Sequence, residues 1–269
     1  MATMNSNLRI SLVQGATVWH DPAANREYYG ELIAPLHDTT DLVVLPETFT
    51  SGFSNEALDT AETMDGATVE WMRAQAARLD AAVTGSVQIR DGDGVHNRML
   101  FVTPDGGVSH YDKRHLFRYA HEHERYAAGR DRITLEWRGW RICPLVCYDL
   151  RFPVFSRNRY DVERPGEPDY DLAIYVANWP AVRDHAWKTL LRARAIENLC
   201  YVAGLNRVGT DGNNIRYSGD SAVIDFLGHP VTECADMEVV TTSTLLGSEL
   251  ARHRQKFPAM LDGDRFELR

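Results

Sequence analysis

The sequence predicts one α/β domain in which two mixed β-sheets are covered by helices. Short apolar runs bounded by turn residues recur along the chain and read as strands. Helical patterns alternate with them in the first and last thirds. A stretch of strands joined by tight turns interrupts the alternation, which adds antiparallel pairing to an otherwise parallel scheme. No Pro/Gly-rich linker, low-complexity stretch or clear internal repeat divides residues 1–269.

The first strands are LRISLVQ (8–14) and DLVVLPE (41–47). The second is nearly continuous in apolar residues, the pattern of a strand buried on both faces. Between them, ANREYYGELIAPLH carries apolar residues at helical spacing. ATVEWMRAQAARLDA (67–81) is a second helix, with Trp71, Ala74, Ala77 and Arg78 three or four apart and Asp65-Gly66 before it. AAVTGSVQI, VHNRMLFVT and VSHYD follow as strands, separated by the hairpin-type turns RDGDG and PDGG. ITLEWRGWRICPLVC continues the strands through a turn at Arg138-Gly139, and DLAIYVAN (171–178) is another buried one. DHAWKTLLRARAIENLC (184–200) is a helix with Trp187, Leu190, Leu191 and Ala195 on one side. YVAGLNRVG and SAVIDFLGHPVTE complete the sheets, and the polar segment after Leu246 reads as a helix and tail.

Composition narrows the function. A net charge of −9 argues against nucleic acid as the main partner. No apolar run reaches the length of a membrane span. MATMNSNLRISLVQGA lacks the basic start and apolar core of a secretory signal, and the four cysteines form no CxxC pair. A reducing, cytoplasmic setting is expected, with no disulfide framework.

Three apolar strands end in chemically useful residues: Glu47, Cys147, and Asn178 with Trp179. Ligands of open α/β sheets collect beyond the carboxyl ends of strands. A carboxylate there is partly desolvated, which suits a general base, although a solvated strand end fits equally. Cys147 in PLVCYDLRFP is either a nucleophile or a small apolar residue finishing a strand. Lys113 in YDKRHLF is either half of a surface basic pair with Arg114 or a cation for a developing oxyanion. HEHER fails the HExxH zinc pattern because Arg125 takes the final position. A Cys–His pairing through His115 or His185 has no local signature, and GTDGNN lacks the residues of a phosphate loop.

LPETFTSGF, YDKRHLF and CYDLRFP, in this order, resemble the signature segments of the nitrilase (carbon–nitrogen hydrolase) superfamily. Similarity runs from RISLVQ through ANWP and RARAIEN to GDSAVID and KFPA, and more narrowly resembles its bacterial omega-amidase branch. The resemblance implies a four-layer α-β-β-α sandwich of two mixed sheets with flanking helices. It implies hydrolysis of the omega-amide of a small 2-oxo dicarboxylic acid monoamide through a cysteine thioester. Glu47 would be the general base, Cys147 the nucleophile, and Lys113 the oxyanion's cation, aided by the Tyr148 N–H. A second glutamate would stand five residues before a glycine, which in HEHERYAAG (121–129) selects Glu124 over Glu122.

The substrate's carboxylate calls for an arginine. The expected substrate contacts are Tyr148, Phe117, Asn178, Trp179 and Arg118. Arg151, Arg183 and Arg207 are further candidate cations, and Phe49 and Tyr119 further walls of the slot. No cofactor and no metal are implied, and the partners are the small amide and further copies of the chain in a homodimer or larger homo-oligomer. Deaminated-glutathione amidase and N-carbamoyl hydrolase are the alternatives within the superfamily, and a non-enzymatic binding scaffold the alternative outside it. RYDVERPGEPDYD (159–171) is expected to be an exposed loop.

Overall fold

In the run Leu42–Leu45, successive side chains point to opposite faces, as in any strand. Leu42 and Val44 enter an apolar cluster shared with the other sheet, whereas Val43 and Leu45 enter one shared with helices. That division is the architecture in miniature: helices, sheet, sheet, helices. The computed structural model describes residues 6–92, 94–160, 167–264 and 266–267.

The chain starts with β1 (Asn7–Gln14), α1 (Pro22–Ile33), β2 (Leu42–Val44) and α2 (Ala67–Leu79). Pro22 stands in the first turn of α1, and the Asp21 side chain accepts the Ala24 N–H at 3.0 Å, so proline and cap together set the helix start. The meander β3 (Ala82–Asp91), β4 (Gly94–Val102) and β5 (Val108–Asp112) follows. Next come β6 (Leu135–Trp137), β7 (Trp140–Val146), the short α3 (Pro153–Ser156), β8 (Leu172–Ala177), α4 (Asp184–Asn198) and β9 (Tyr201–Asn206). The hairpin β10 (Val208–Thr210) and β11 (Arg216–Ser218) leads to β12 (Ala222–Ile224), β13 (Pro230–Glu233), β14 (Val239–Leu246) and α5 (Gly247–Lys256).

One six-stranded sheet runs β14-β1-β2-β3-β4-β5 and the other β13-β12-β9-β8-β7-β6. In the first, β1, β2 and β3 are parallel and the outer pairings antiparallel. In the second, β7, β8 and β9 are parallel and again the outer pairings are antiparallel. Counted from β14 and from β6, the two sheets repeat one order of pairings, a repeat of shape without a repeat of sequence. Helices follow equivalent strands, α2 after β2 and α4 after β8.

Two expectations change. The apolar face of α2 is Val69, Met72, Ala76 and Leu79, while Ala74, Ala77 and Arg78 are exposed and Trp71 is half-buried. Alanines at several phases blur the helical period, and the larger Met72 and Leu79 decide which side is buried. β14, VVTTSTLL, carries no apolar strand signature in the sequence, because four consecutive hydroxyl residues, Thr241 to Thr244, separate Val239-Val240 from Leu245-Leu246. It pairs along its whole length with β1, from Asn7↔Leu246 to Gln14↔Val239. The Arg138-Gly139 turn has the expected form: both residues have positive φ, 47° and 79°, as a two-residue hairpin between Trp137 and Trp140 requires. Within the expected loop 159–171, residues 161–166 lie outside the described residues. At its ends Arg159 pairs with Asp169, and Tyr160 bridges Pro168.

Candidate active site

β7 ends at Val146, and the chain turns at once into a 3-10 helix, Cys147–Arg151. The turn puts Cys147 at φ 45°, a left-handed conformation that costs any residue with a Cβ. A nucleophile on a sharp strand-to-helix turn is lifted out of the sheet toward the ligand space. The Tyr148 N–H lies in the first turn of that helix, where it has no intrahelical acceptor. The buried Asp149 carboxylate holds the turn. It accepts the Val146 N–H at 3.0 Å, the Tyr111 hydroxyl at 2.8 Å, the His115 N–H at 3.0 Å, and lies 2.7 Å from His115 Nδ1. One side chain thus ties the nucleophile's turn to the segment that carries Lys113. On the far side, Arg194 donates to Leu150 O at 2.6 Å and to Glu197 at 2.9 Å.

Glu47 follows β2 and is fully buried. Its Oε1 accepts from Lys113 Nζ at 2.8 Å and from Asn97 Nδ2 at 2.8 Å. Its Oε2 accepts the Asn178 N–H at 2.7 Å. Asn178 follows β8, the strand equivalent to β2, so the carboxylate is anchored across the two sheets. The Asn178 amide also donates to Glu47 O at 2.8 Å. Lys113 Nζ donates to both oxygens of Glu122 at 3.0 Å. Burial alone would lower the Lys113 pKa, but the charges of Glu122 and Glu47 outweigh it, and the ammonium persists well above the ordinary lysine value. Burial pushes the Glu122 carboxyl up, opposed by Lys113 and reinforced by the like charge of Glu47. The Cys147 thiol is pushed well above its ordinary value by burial and by the Glu47 charge, with Lys113 opposing. A thiol held protonated beside a carboxylate is suited to act as a nucleophile whose proton the carboxylate takes.

A cleft of about 100 Å³ opens over these groups. Glu47, Lys113 and Cys147 form its floor. Phe53, Phe117, Tyr119, Tyr148, Trp179, Ile215 and Tyr217 supply its apolar walls, and Arg151 and Arg183 also line it. The arrangement suits acyl transfer: a thiol and a carboxylate lining the same cleft, and a fixed cation with a backbone N–H for the oxygen of a tetrahedral intermediate.

Residues 9–251 match the family model described as carbon-nitrogen hydrolase. The chain belongs to the carbon–nitrogen hydrolase family. It is 49% identical over 263 residues to the omega-amidase YafV of Escherichia coli K12, covering 97% of this chain and 98% of that one. It is 31% identical over 256 residues to the 2-oxoglutaramate amidase of Bacillus subtilis 168, covering 94% and 96%. Its fold matches that of a CN-hydrolase superfamily protein of Xanthomonas campestris, solved with an arsenic adduct in its active site. The TM-score is 0.96, with 67% identity, 98% of this chain covered and 99% of that one.

Of the residues singled out from the sequence of this carbon–nitrogen hydrolase, Glu47, Lys113, Cys147, Tyr148, Phe117, Asn178 and Trp179 all line the cleft. Two do not. Glu124 is exposed and its carboxylate lies 3.0 Å from His121 Nδ1, while Glu122 takes the place against Lys113. Glu122–Glu124 form one 3-10 turn, and with three residues per turn the side chains two apart diverge, so only one faces inward. Gly129, from which the spacing was counted, is fixed by its own packing: a Cβ there would lie 2.0 Å from Asp112 O. Arg118 is likewise exposed on a 3-10 turn and does not line the cleft. Among the other candidates, Phe49 packs in the core against Tyr29 and Trp71, and Arg207 is buried over the Tyr217 ring. Asn97 was missed. Asn97 and Arg98 are consecutive buried polar residues in a strand, a break in alternation that marks a strand with work beyond packing. No group of His, Cys, Asp and Glu suited to a metal ion occurs among the described residues.

Proposed function

We propose that this chain hydrolyses the omega-amide of a small 2-oxo dicarboxylic acid monoamide, such as 2-oxoglutaramate or 2-oxosuccinamate, to the acid and ammonia. Glu47 takes the Cys147 proton as Sγ attacks the amide carbonyl carbon. The Lys113 ammonium and the Tyr148 N–H hold the resulting oxyanion. Glu47 returns the proton to the leaving nitrogen, the C–N bond breaks, ammonia departs and a thioester remains. Glu47 then deprotonates water, which attacks the thioester, and collapse of the second intermediate expels the thiolate and reprotonates it. Glu122 keeps Lys113 in place and charged.

The observation that carries this reading is that Cys147, Glu47 and Lys113 line one small cleft, where Glu47 and Glu122 share the Lys113 ammonium. A cleft of about 100 Å³ favours a short acyl group over a peptide-sized one. The names of the relatives supply the amide class. Purified protein is expected to release ammonia from 2-oxosuccinamate much faster than from nitriles or N-carbamoyl acids of equal length. Equal rates across these substrates would overturn the omega-amide reading.

We further propose that residues 1–269 act as one domain, because the base and the nucleophile follow strands of different sheets. The proposed setting is the cytoplasm, which four free thiols suit. A homodimer or larger homo-oligomer is the proposed assembly, checked by light scattering of the purified chain. Among the described residues no helix is long and apolar enough to cross a membrane.

A further inference from the structure

Three cations line the cleft: Lys113, Arg151 and Arg183. Lys113 is committed to Glu47 and Glu122. Neither arginine has a carboxylate partner among the described residues, in a chain that carries a net charge of −9. The two differ in setting. Arg151 is exposed, its guanidinium 4.8 Å from the centre of the Trp179 ring. Arg183 is half-buried, 5.5 Å from the Phe117 ring and 5.8 Å from the Tyr119 ring, which lie against each other. Aromatic faces hold a guanidinium without using its N–H groups, so its fork stays free for a planar anion.

The backbone around Arg183 is fixed. Its N–H donates to Pro180 O at 2.9 Å, and its carbonyl accepts Trp179 Nε1 at 2.8 Å. Trp179 in turn donates its N–H to Asn206 Oδ1 at 2.8 Å. The next residue, Asp184, opens α4, whose positive end adds to the field at this wall. The Asp184 carboxylate does not neutralise Arg183, since it is engaged by Lys188 at 2.8 Å and the His185 N–H at 2.7 Å. A guanidinium with free N–H groups, lining the same small cleft as Cys147, suits a carboxylate.

We propose that Arg183 is the specificity-determining residue of this site, binding the carboxylate of the substrate while the amide at the other end lies over Cys147. The proposal rests on the omega-amide reading above and assigns its anionic end to one residue. The carboxylate is remote from the reacting carbon, so its contact acts mainly through KM.

The test compares wild type, Arg183→Gln, Arg183→Lys and Arg151→Gln on 2-oxosuccinamate and on butanamide, a neutral amide of the same length. Alkylation of Cys147 by iodoacetamide reports whether each site is intact. For wild type, kcat/KM is expected to favour 2-oxosuccinamate strongly. Arg183→Gln is expected to lower it for 2-oxosuccinamate by roughly 10- to 100-fold, chiefly through KM, with butanamide and alkylation unchanged. Arg183→Lys should recover part of the loss, and Arg151→Gln should shift the preference less than Arg183→Gln. Retained preference in Arg183→Gln, equal losses on both amides, or a larger effect from Arg151 would each overturn the assignment to Arg183 and leave the omega-amide reading standing. A wild type that does not prefer the carboxylated amide would overturn both.

Discussion

At the scale of single residues, Cys147 is held as a neutral thiol, by burial first and by the Glu47 charge second. Its reactivity toward a simple alkylating agent should then follow the small thiolate fraction, which grows with pH. Iodoacetamide alkylation, followed by mass spectrometry, is expected to keep accelerating above pH 9; a plateau below pH 8 would indicate a preformed thiolate. Cys147→Ala should lower turnover on the order of 10⁴-fold or more while leaving the far-ultraviolet circular dichroism unchanged. The second glutamate gives a sharper comparison. Glu122→Gln removes a charge that holds Lys113 and should cost on the order of 10²-fold in kcat. Glu124→Gln alters an exposed contact to His121 and should change kcat by less than about two-fold. That Glu47, Lys113 and Cys147 gather at one cleft was legible because each stands in a recognisable segment. The choice between Glu122 and Glu124 was not, because spacing along the chain does not give the phase of a 3-10 turn. Arg118 failed for the same reason. It is close to Lys113 in sequence, but its turn directs it to solvent, whereas Arg183 reaches the cleft from the start of a helix far along the chain.

At the scale of elements, the nucleophile's turn is only as good as what holds it. Asp149 gathers Val146, Tyr111 and His115 around one buried carboxylate, and His115 stacks on Phe152 with centroids 3.8 Å apart. Asp149→Asn replaces an acceptor oxygen with a donor amide facing two N–H groups and a hydroxyl. It is expected to lower kcat/KM on the order of 10²-fold by misplacing the nucleophile. It should also destabilise the fold by about 1–3 kcal/mol, read from denaturant titration. Loss of activity without loss of stability would mean that Asp149 acts on the chemistry directly. Strands with continuous apolar runs, such as β2 and β8, were legible from sequence, as was the hairpin at Arg138-Gly139. β14 was not, since its half-polar pattern is that of an exposed edge. The buried face of α2 was hidden by alanines, which fit either side of a helix.

At the scale of the whole molecule, the second sheet and α5 are joined through Asp171. Its side chain, 1% exposed, accepts from Arg254 Nη1 at 2.5 Å and from Arg141 Nε at 3.0 Å. Burial alone would raise its pKa, but Arg254 and Arg141 hold it below the ordinary carboxylate value. A carboxylate depressed in the folded state contributes stability that is present above its unfolded pKa of about 3.9 and is lost as pH falls through the lower folded value. Asp171→Asn is expected to cost about 3 kcal/mol near neutrality, because it leaves the buried Arg254 guanidinium without its carboxylate. Below about pH 4 the gap between wild type and variant should narrow, as thermal melts across pH would show. A gap that is constant from pH 7 to pH 3 would exclude this linkage.

The pairing of β14 with β1 also bears on the order in which the molecule is made. β1 is synthesised before the other strands of both sheets and its outer neighbour after them, more than 220 residues later by the register Gln14↔Val239. Until then β1 is an unpaired edge, and the sheet that supplies Glu47 and Lys113 is incomplete. A nascent chain stalled before Val239 would hold every residue of the proposed catalytic cluster yet lack the strand that closes its sheet. Competence would arrive only once Leu246 has been made, and termination before Val239 would leave an adhesive edge in place of a slightly shortened enzyme.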